Sequence, residues 1–317
     1  MTKAKSTLTQ MNGYGELNKR TTYFKRYWQL YALLSLPILY FLIFRYGPMY
    51  GVQIAFKDFN LFQGINGSEW IGLEAFREVF AMNDFYITLR NTFMLNFLDL
   101  IVSFPAPIIL AIMLYEIRSA RFKRISQTIL YIPHFISWVI IGGIVYQLFG
   151  TQSGMINGLL QGMGFEAIPF LTEKNSWLVT YLFTGVWQSA GWGTILYLAA
   201  LTGVNKELFE AADVDGASRL RKIWHITLPS IKPTIVTLLI LNLGRMVSIG
   251  FDRPYIIGNT AVREYSDVLS TFVYRIGLES GQYTLATVVG LFQAVVGLIF
   301  ILGSNYISKK TTGDGIL

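Results

Sequence analysis

Two groups of side chains in this 317-residue chain have types and spacings that carry chemistry. The first lies inside long apolar runs. Thr92, Asn96, Asp99 and Ser103 recur at three- and four-residue steps and so share one stripe of a helix. Thr184, Gln188 and Trp192 do the same, and Asn242, Arg245 and Asp252 share a face with Ser248 at its edge. Amides and hydroxyls hydrogen-bond to a hydroxyl-rich solute, and an indole ring stacks on its apolar face. At membrane depth such groups are costly and turn toward a bundle interior or a water-filled path. Gln188, Trp192, Asn242 and Arg245 are therefore candidates to line a path. Packing is the competing reading, because Asn and Gln also join helices and Asp99 or Asp252 would pair with Arg245. An unpaired Arg245 would favour an anionic solute; a paired one says nothing about charge. Gly142, Gly143, Gly290 and Gly297 are expected at close helix contacts.

The second group lies in residues 203–232, GVNKELFEAADVDGASRLRKIWHITLPSIK. Asn205 suits a helix N-cap, and Glu207 and Glu210 complement the dipole of the turns that follow. Gly216 suits a left-handed helix end. A basic amphipathic stretch, Ser218 to Ile226, is expected to stop at Leu228-Pro229, with Pro233 opening the next apolar helix. The product is a helix–turn–helix bracket whose small Ala211 and Ala212 admit close approach of another surface. Other chemistries lack their residues. There is no cysteine, and His134 and His225 are the only histidines. No G-x-x-x-x-G-K-[ST] phosphate loop is present.

The elements that must position these groups follow from composition. Hydrophobic residues make up 53% and charged residues 14%, with a mean hydropathy of +0.45. A globular domain carries about 25% charged residues. The chain therefore reads as an all-α polytopic membrane protein with six spans of about 20 residues: Trp28–Phe44, Thr92–Tyr115, Ile125–Phe149, Trp177–Leu201, Pro233–Phe251 and Tyr283–Ile307. Loops on one side, with both termini, hold 17 of the 26 basic residues against 8 on the other. The positive-inside rule places both termini and the 203–232 loop in the cytoplasm. Residues 1–27 and 309–317 are read as cytoplasmic tails, 28–308 as the transmembrane domain and 46–90 as a folded external cap. The first span is read as a retained anchor, not a cleaved signal.

The bracket residues carry a family resemblance. Glu210-Ala211-Ala212, Gly216 and Ile226-Thr227-Leu228-Pro229 stand at the spacing of the EAA loop of binding-protein-dependent ABC transporter permeases. Gly191-Trp192, Leu196 to Leu201, Asp215-Gly216-Ala217 and Trp70-Ile71-Gly72-Leu73 resemble the carbohydrate branch of that family. Tyr46-Gly47-Pro48-Met49-Tyr50-Gly51 is similar to its subgroup for complex oligosaccharides, pectin and alginate fragments included. The resemblance implies a type I ABC importer permease fold in a bacterial cytoplasmic membrane. It implies a second homologous permease subunit, more often a heterodimer, together with a cytoplasmic ATPase dimer and an extracytoplasmic solute-binding protein. The cargo would be an oligosaccharide, with no nucleic acid. It places ATP and Mg on the partner ATPase and no cofactor or catalytic residue on this chain. It assigns ATPase coupling to Glu210, Ala211, Ala212, Asp215, Gly216 and Ala217.

Other classes fit less well. The same machinery for glycerol phosphate or another polar solute is the nearest alternative. An ion-driven secondary transporter would show inverted repeats, and an intramembrane enzyme would need a second inward catalytic group beside Asp99. Gly216→Pro is expected to uncouple ATP hydrolysis from transport while the protein still inserts. Measured in vesicles, an unchanged ratio of ATP hydrolysed to solute moved would contradict this.

Overall fold

The structure is a computed structural model that describes residues 23, 25–244, 246 and 250–312. Its first helix, α1, covers 25–41 and none of its residues is buried against the rest of the chain. A wide turn, Leu42–Tyr46, and a 3-10 helix, Gly47–Phe56, lead into the external cap. Two short antiparallel strands, β1 (Lys57–Asp58) and β2 (Glu69–Trp70), pair Lys57 with Trp70. They enclose α2 (Gly64–Gly67), and α3 (Glu74–Ala81) follows. Phe56 stacks on Trp70 at 5.6 Å, which closes the cap.

The bundle follows. α4 (Asn83–Ser103) and α5 (Pro105–Glu116) meet at Phe104, where Pro105 opens the second helix without a lost hydrogen bond. α6 (Ala120–Tyr131) and α7 (Trp138–Phe149) are separated by a short 3-10 turn, and α8 (Met155–Gly162) follows. α9 (Lys174–Thr202) leads to the bracket helices α10 (Lys206–Val214) and α11 (Arg219–Lys222), and α12 (Leu228–Gly244) leaves it. α13 (Asp252–Ile257), α14 (Arg263–Ser266) and α15 (Leu269–Tyr274) precede α16 (Tyr283–Thr312).

Several expected boundaries move, each for a local reason. The third expected span is not one helix: α6 and the turn after it meet α7 at 103°. Ile136 and Ser137 are extended there, and the Ser137 hydroxyl accepts from the Ile140 N–H to start α7 afresh. The basic stretch after Ser218 does not stop at Leu228-Pro229. A π-turn, in which Leu228 N–H reaches the Ile223 carbonyl, carries it on into α12, and the apolar helix runs from Arg219 to Gly244. Pro233 sits inside α12 and does not open it. That helix ends at Gly244, so Asp252 lies on a separate helix from Asn242.

Four helical stretches among the described residues are long and apolar enough to cross a bilayer, or five with the bent pair. α9 is too polar to pass that test. It is nonetheless 29 residues long, about 43 Å, and packs against α4, α5, α6 and α12. Its hydroxyls are satisfied within the helix: Thr184 donates to the Thr180 carbonyl at 2.9 Å and Ser189 to the Gly185 carbonyl at 2.7 Å. A buried hydroxyl with a backbone acceptor avoids the penalty of an unmade bond.

Four apolar clusters hold the described residues together, the smallest of them Ile141, Val145 and Leu171 around α7. Phe85, Leu269, Phe272, Val288 and Val289 join α4, α15 and α16 under the cap. Leu95, Trp177, Tyr181 and Ile257 join α4, α9 and α13. Ile112, Tyr197, Leu201 and Ile231 join α5, α9 and α12 near the bracket. The tightest approach is at Gly191 on α9, where a Cβ would stand 1.8 Å from the Leu130 carbonyl oxygen of α6. Gly142 likewise abuts Ile256, whereas Gly143, Gly290 and Gly297 have open space and make no such contact within the chain. Gly191→Ala should therefore cost about 1–3 kcal/mol by overpacking. Gly143→Ala should cost nothing and gain up to about 1 kcal/mol in helix propensity. Thermal unfolding of both variants in detergent checks the contrast.

Candidate functional site

Asp99 lies about 24 Å along α4, midway between Asn83 and Glu116, the ends of the apolar α4–α5 stretch. A cavity of about 420 Å³ opens beside it. Asn96, Asp99 and Ser103 of α4 line one wall, Ser189, Gly193 and Tyr197 of α9 another, Asn242 of α12 a third. Arg253 of α13 completes it.

Arg253 stands on α13, a helix separate from α12. Polar side chains on α4 and α9 hold the backbone at Met246 and from Ile257 to Leu269. Asn96 Nδ2 donates to the Met246 carbonyl at 2.8 Å, and the Thr92 hydroxyl accepts from the Leu269 N–H at 2.9 Å. Buried Asn91 donates to the Glu264 and Asp267 carbonyls at 2.8 and 2.9 Å. Trp177 Nε1 donates to the Ile257 carbonyl at 3.0 Å. Each bond satisfies an irregular backbone group that has no helical partner, a condition for non-helical chain at membrane depth.

The Arg253 guanidinium grips Asp99 with both terminal nitrogens, Nη1 to Oδ2 at 2.6 Å and Nη2 to Oδ1 at 3.3 Å. Nη2 also donates to the Tyr181 carbonyl. The Tyr181 ring lies 3.7 Å from the guanidinium carbon and the Trp138 ring 5.7 Å, both within cation–π range. Gly185 makes room for the cation: a Cβ there would stand 2.4 Å from it. Ser103 donates to Asp99 Oδ1 at 3.1 Å. The pair leaves no net charge at half-depth.

Of the residues singled out from the sequence, Asn242 lines the cavity. Gln188 and Trp192 lie on another face of α9. Trp192 stacks on His134 at 4.8 Å and 5°, and Gln188 reaches the His134 carbonyl at 3.5 Å, both at the break between α6 and α7. Arg245 and Ser248 lie outside the described residues. The described partner of Asp99 is Arg253, a residue that charge counting placed in an external loop. Helical periodicity had no means of finding it, since its position depends on the break after Gly244. The signals available were Gly250 followed by an Asp-Arg-Pro helix start.

The bracket is built as its residues imply. Asn205 Oδ1 accepts from the Glu207 N–H at 3.0 Å and caps α10. Gly216 adopts φ +72°, and its N–H bonds the Asp213 carbonyl while Ala217 N–H bonds the Ala212 carbonyl. This is the paired-bond helix end that a glycine permits without Cβ strain. Ser218 starts α11, and Lys222 clamps Asp213 at 2.6 Å. Phe209 meets Tyr115 at the end of α5. Glu210, Ala211, Asp215 and Gly216 are exposed, and Ala212 and Ala217 half-buried. Val214 is 89% exposed, beside Leu220 and Trp224 at 70% and 67%. The bracket thus exposes apolar side chains among charged ones, uncovered by any of the described residues.

Residues 88–313 match the model of the family described as binding-protein-dependent transport system inner membrane component. Protein LplB of Bacillus subtilis (strain 168) is 47% identical over 287 residues, 90% of each chain. The polygalacturonan/rhamnogalacturonan transport system permease protein YteP of the same organism is 45% identical over 287 residues, 90% of this chain and 89% of its own. A chain of a bacterial alginate ABC transporter, solved in complex with an alginate pentasaccharide-bound periplasmic protein, superposes with a TM-score of 0.83 at 39% identity, covering 92% of this chain and 98% of that one. With the match over 88–313, well over half of its length, the chain belongs to the inner membrane components of binding-protein-dependent ABC transport systems.

Proposed function

We propose that this chain is one permease subunit of an ATP-driven importer of acidic oligosaccharides, uronate-rich fragments of plant or algal polysaccharide. The observation that carries this reading is the mechanical link between cavity and bracket. α9 enters the bracket and α12 leaves it, and both line the cavity at half-depth. A rigid displacement of α10–α11 is thereby passed to two walls of the cavity, which is the motion alternating access requires. Polygalacturonan and alginate, named for the similar transporters, are both polymers of uronic acids, and the cavity contains an arginine.

The partners follow from what this chain does not supply. It lacks a phosphate-binding loop, so ATP and Mg belong to a cytoplasmic ATPase dimer seated on the bracket, with Glu210, Ala211, Ala212, Asp215, Gly216 and Ala217 at the contact. A second homologous permease completes the pathway, and an extracytoplasmic binding protein delivers the sugar. The chain would sit in a bacterial cytoplasmic membrane with both termini inside, as its basic loops require. Gln188, Trp192, Asn242 and Arg245 remain the residues proposed for the wider path, beyond the cavity that this chain forms by itself.

The test is purification of the tagged full chain with its companions, followed by uptake of trigalacturonate into proteoliposomes loaded with ATP. ATP-dependent accumulation, requiring a second permease, an ATPase and a binding protein, is the expected result. Uptake by this chain alone and without ATP would overturn the assignment.

A further inference from the structure

We infer that Arg253 is the residue that reads the carboxylate of the transported sugar, and that Asp99 is its resident competitor. Asp99 occupies the guanidinium until a uronate takes its place. The inference rests on the uronate reading above and names the group that enforces it.

Placement is the first argument. α12 ends at Gly244, and the separate short helix α13 places Arg253 beside the cavity, against Asp99 in the middle of the α4–α5 stretch. A cation needed only for packing has no reason to border 420 Å³ of open space. The side chains of Arg253 and Asp99 are 12% and 24% exposed, enough for a solute in the cavity to compete for them.

Donor geometry is the second. Both Nη groups serve Asp99, one of them also the Tyr181 carbonyl, while the buried Nε–H has no acceptor among the described residues. A guanidinium presents five donors in a planar fork matched to a carboxylate, and this fork is not saturated. Its plane is held by the Tyr181 ring and the space over Gly185 independently of Asp99. Exchange of one carboxylate for another therefore requires no rebuilding of the site. Asp99, once released, keeps the Ser103 hydroxyl and faces the cavity.

Charge is the third. An arginine alone at this depth would hold any passing anion. With Asp99 in place the empty site is neutral, so a solute must bring a carboxylate and enough further contacts to displace the resident one. Specificity then comes from competition as well as attraction.

The experiment uses the complete transporter in proteoliposomes with saturating, fully loaded binding protein. The probes are trigalacturonate and its methyl ester, which keeps the skeleton and masks the carboxylates. The readout is the ratio of acid to ester uptake rates. Arg253→Gln should lower this ratio about tenfold, the scale of one charge-assisted hydrogen bond, and Asp99→Asn should raise it. The double variant Asp99→Asn/Arg253→Gln, which strands no charge, should show the low ratio of Arg253→Gln. It decides the matter even where a single variant fails to fold. Loss of both sugars in equal proportion in the single variants, with the wild-type ratio in the double variant, would mean a packing pair and overturn the inference while the importer reading stands. Wild-type protein that moves neither sugar would remove the uronate reading, and this inference with it.

Discussion

A polar group in hydrocarbon has to find its partner inside the protein, since no water is at hand to replace it. Here that requirement converges on Asp99. A carboxylate in the middle of an apolar stretch needs a cation, and the cation comes from α13, a short helix seated beside α4 and α9. The donors of Asn91, Asn96 and Trp177 hold the chain around it in place. The space over Gly185 and the ring of Tyr181 fix the guanidinium itself. The end of α12 at Gly244, the cavity and the pinned loop all meet at this one ion pair.

The same helices that enclose the cavity carry the bracket. α9 runs unbroken for 29 residues, its hydroxyls bonded to its own carbonyls. α12 is joined to α11 without a break, through the π-turn Ile223–Thr227. The bracket is closed by the Gly216 turn and the Lys222–Asp213 pair, so it moves as a unit. Close packing of Gly191 against the α6 backbone resists independent sliding of α6 and α9. α9 and α12 thus connect the bracket directly to two walls of the cavity.

Local patterns made much of this legible. The caps of Asn205 and Ser218 and the left-handed Gly216 follow from short-range hydrogen bonding, which depends on neighbouring residues alone. The stripe Thr92, Asn96, Asp99, Ser103 is inward-facing as its spacing implies, for the same reason. Prolines misled: Pro229 and Pro233 lie within α12, which continues from the π-turn Ile223–Thr227 instead of starting afresh. A face shared by Asn242 and Asp252 assumed an unbroken helix, and that assumption failed at Gly244.

Read without its fold, the chain already declares a helical membrane protein, a set of loops and termini that holds most of the basic residues, and a capped helix–turn–helix bracket in 203–232. Composition, charge and capping are properties of the chain read locally. Only the tertiary structure decided which cation meets Asp99, that Gln188 and Trp192 turn toward His134, and where the cavity opens. Those outcomes depend on contacts between residues 50 to 150 positions apart, set by helix breaks and by a few ångströms of clearance at Gly185 and Gly191. No periodicity along the chain encodes such distances, because they exist only once the helices have packed.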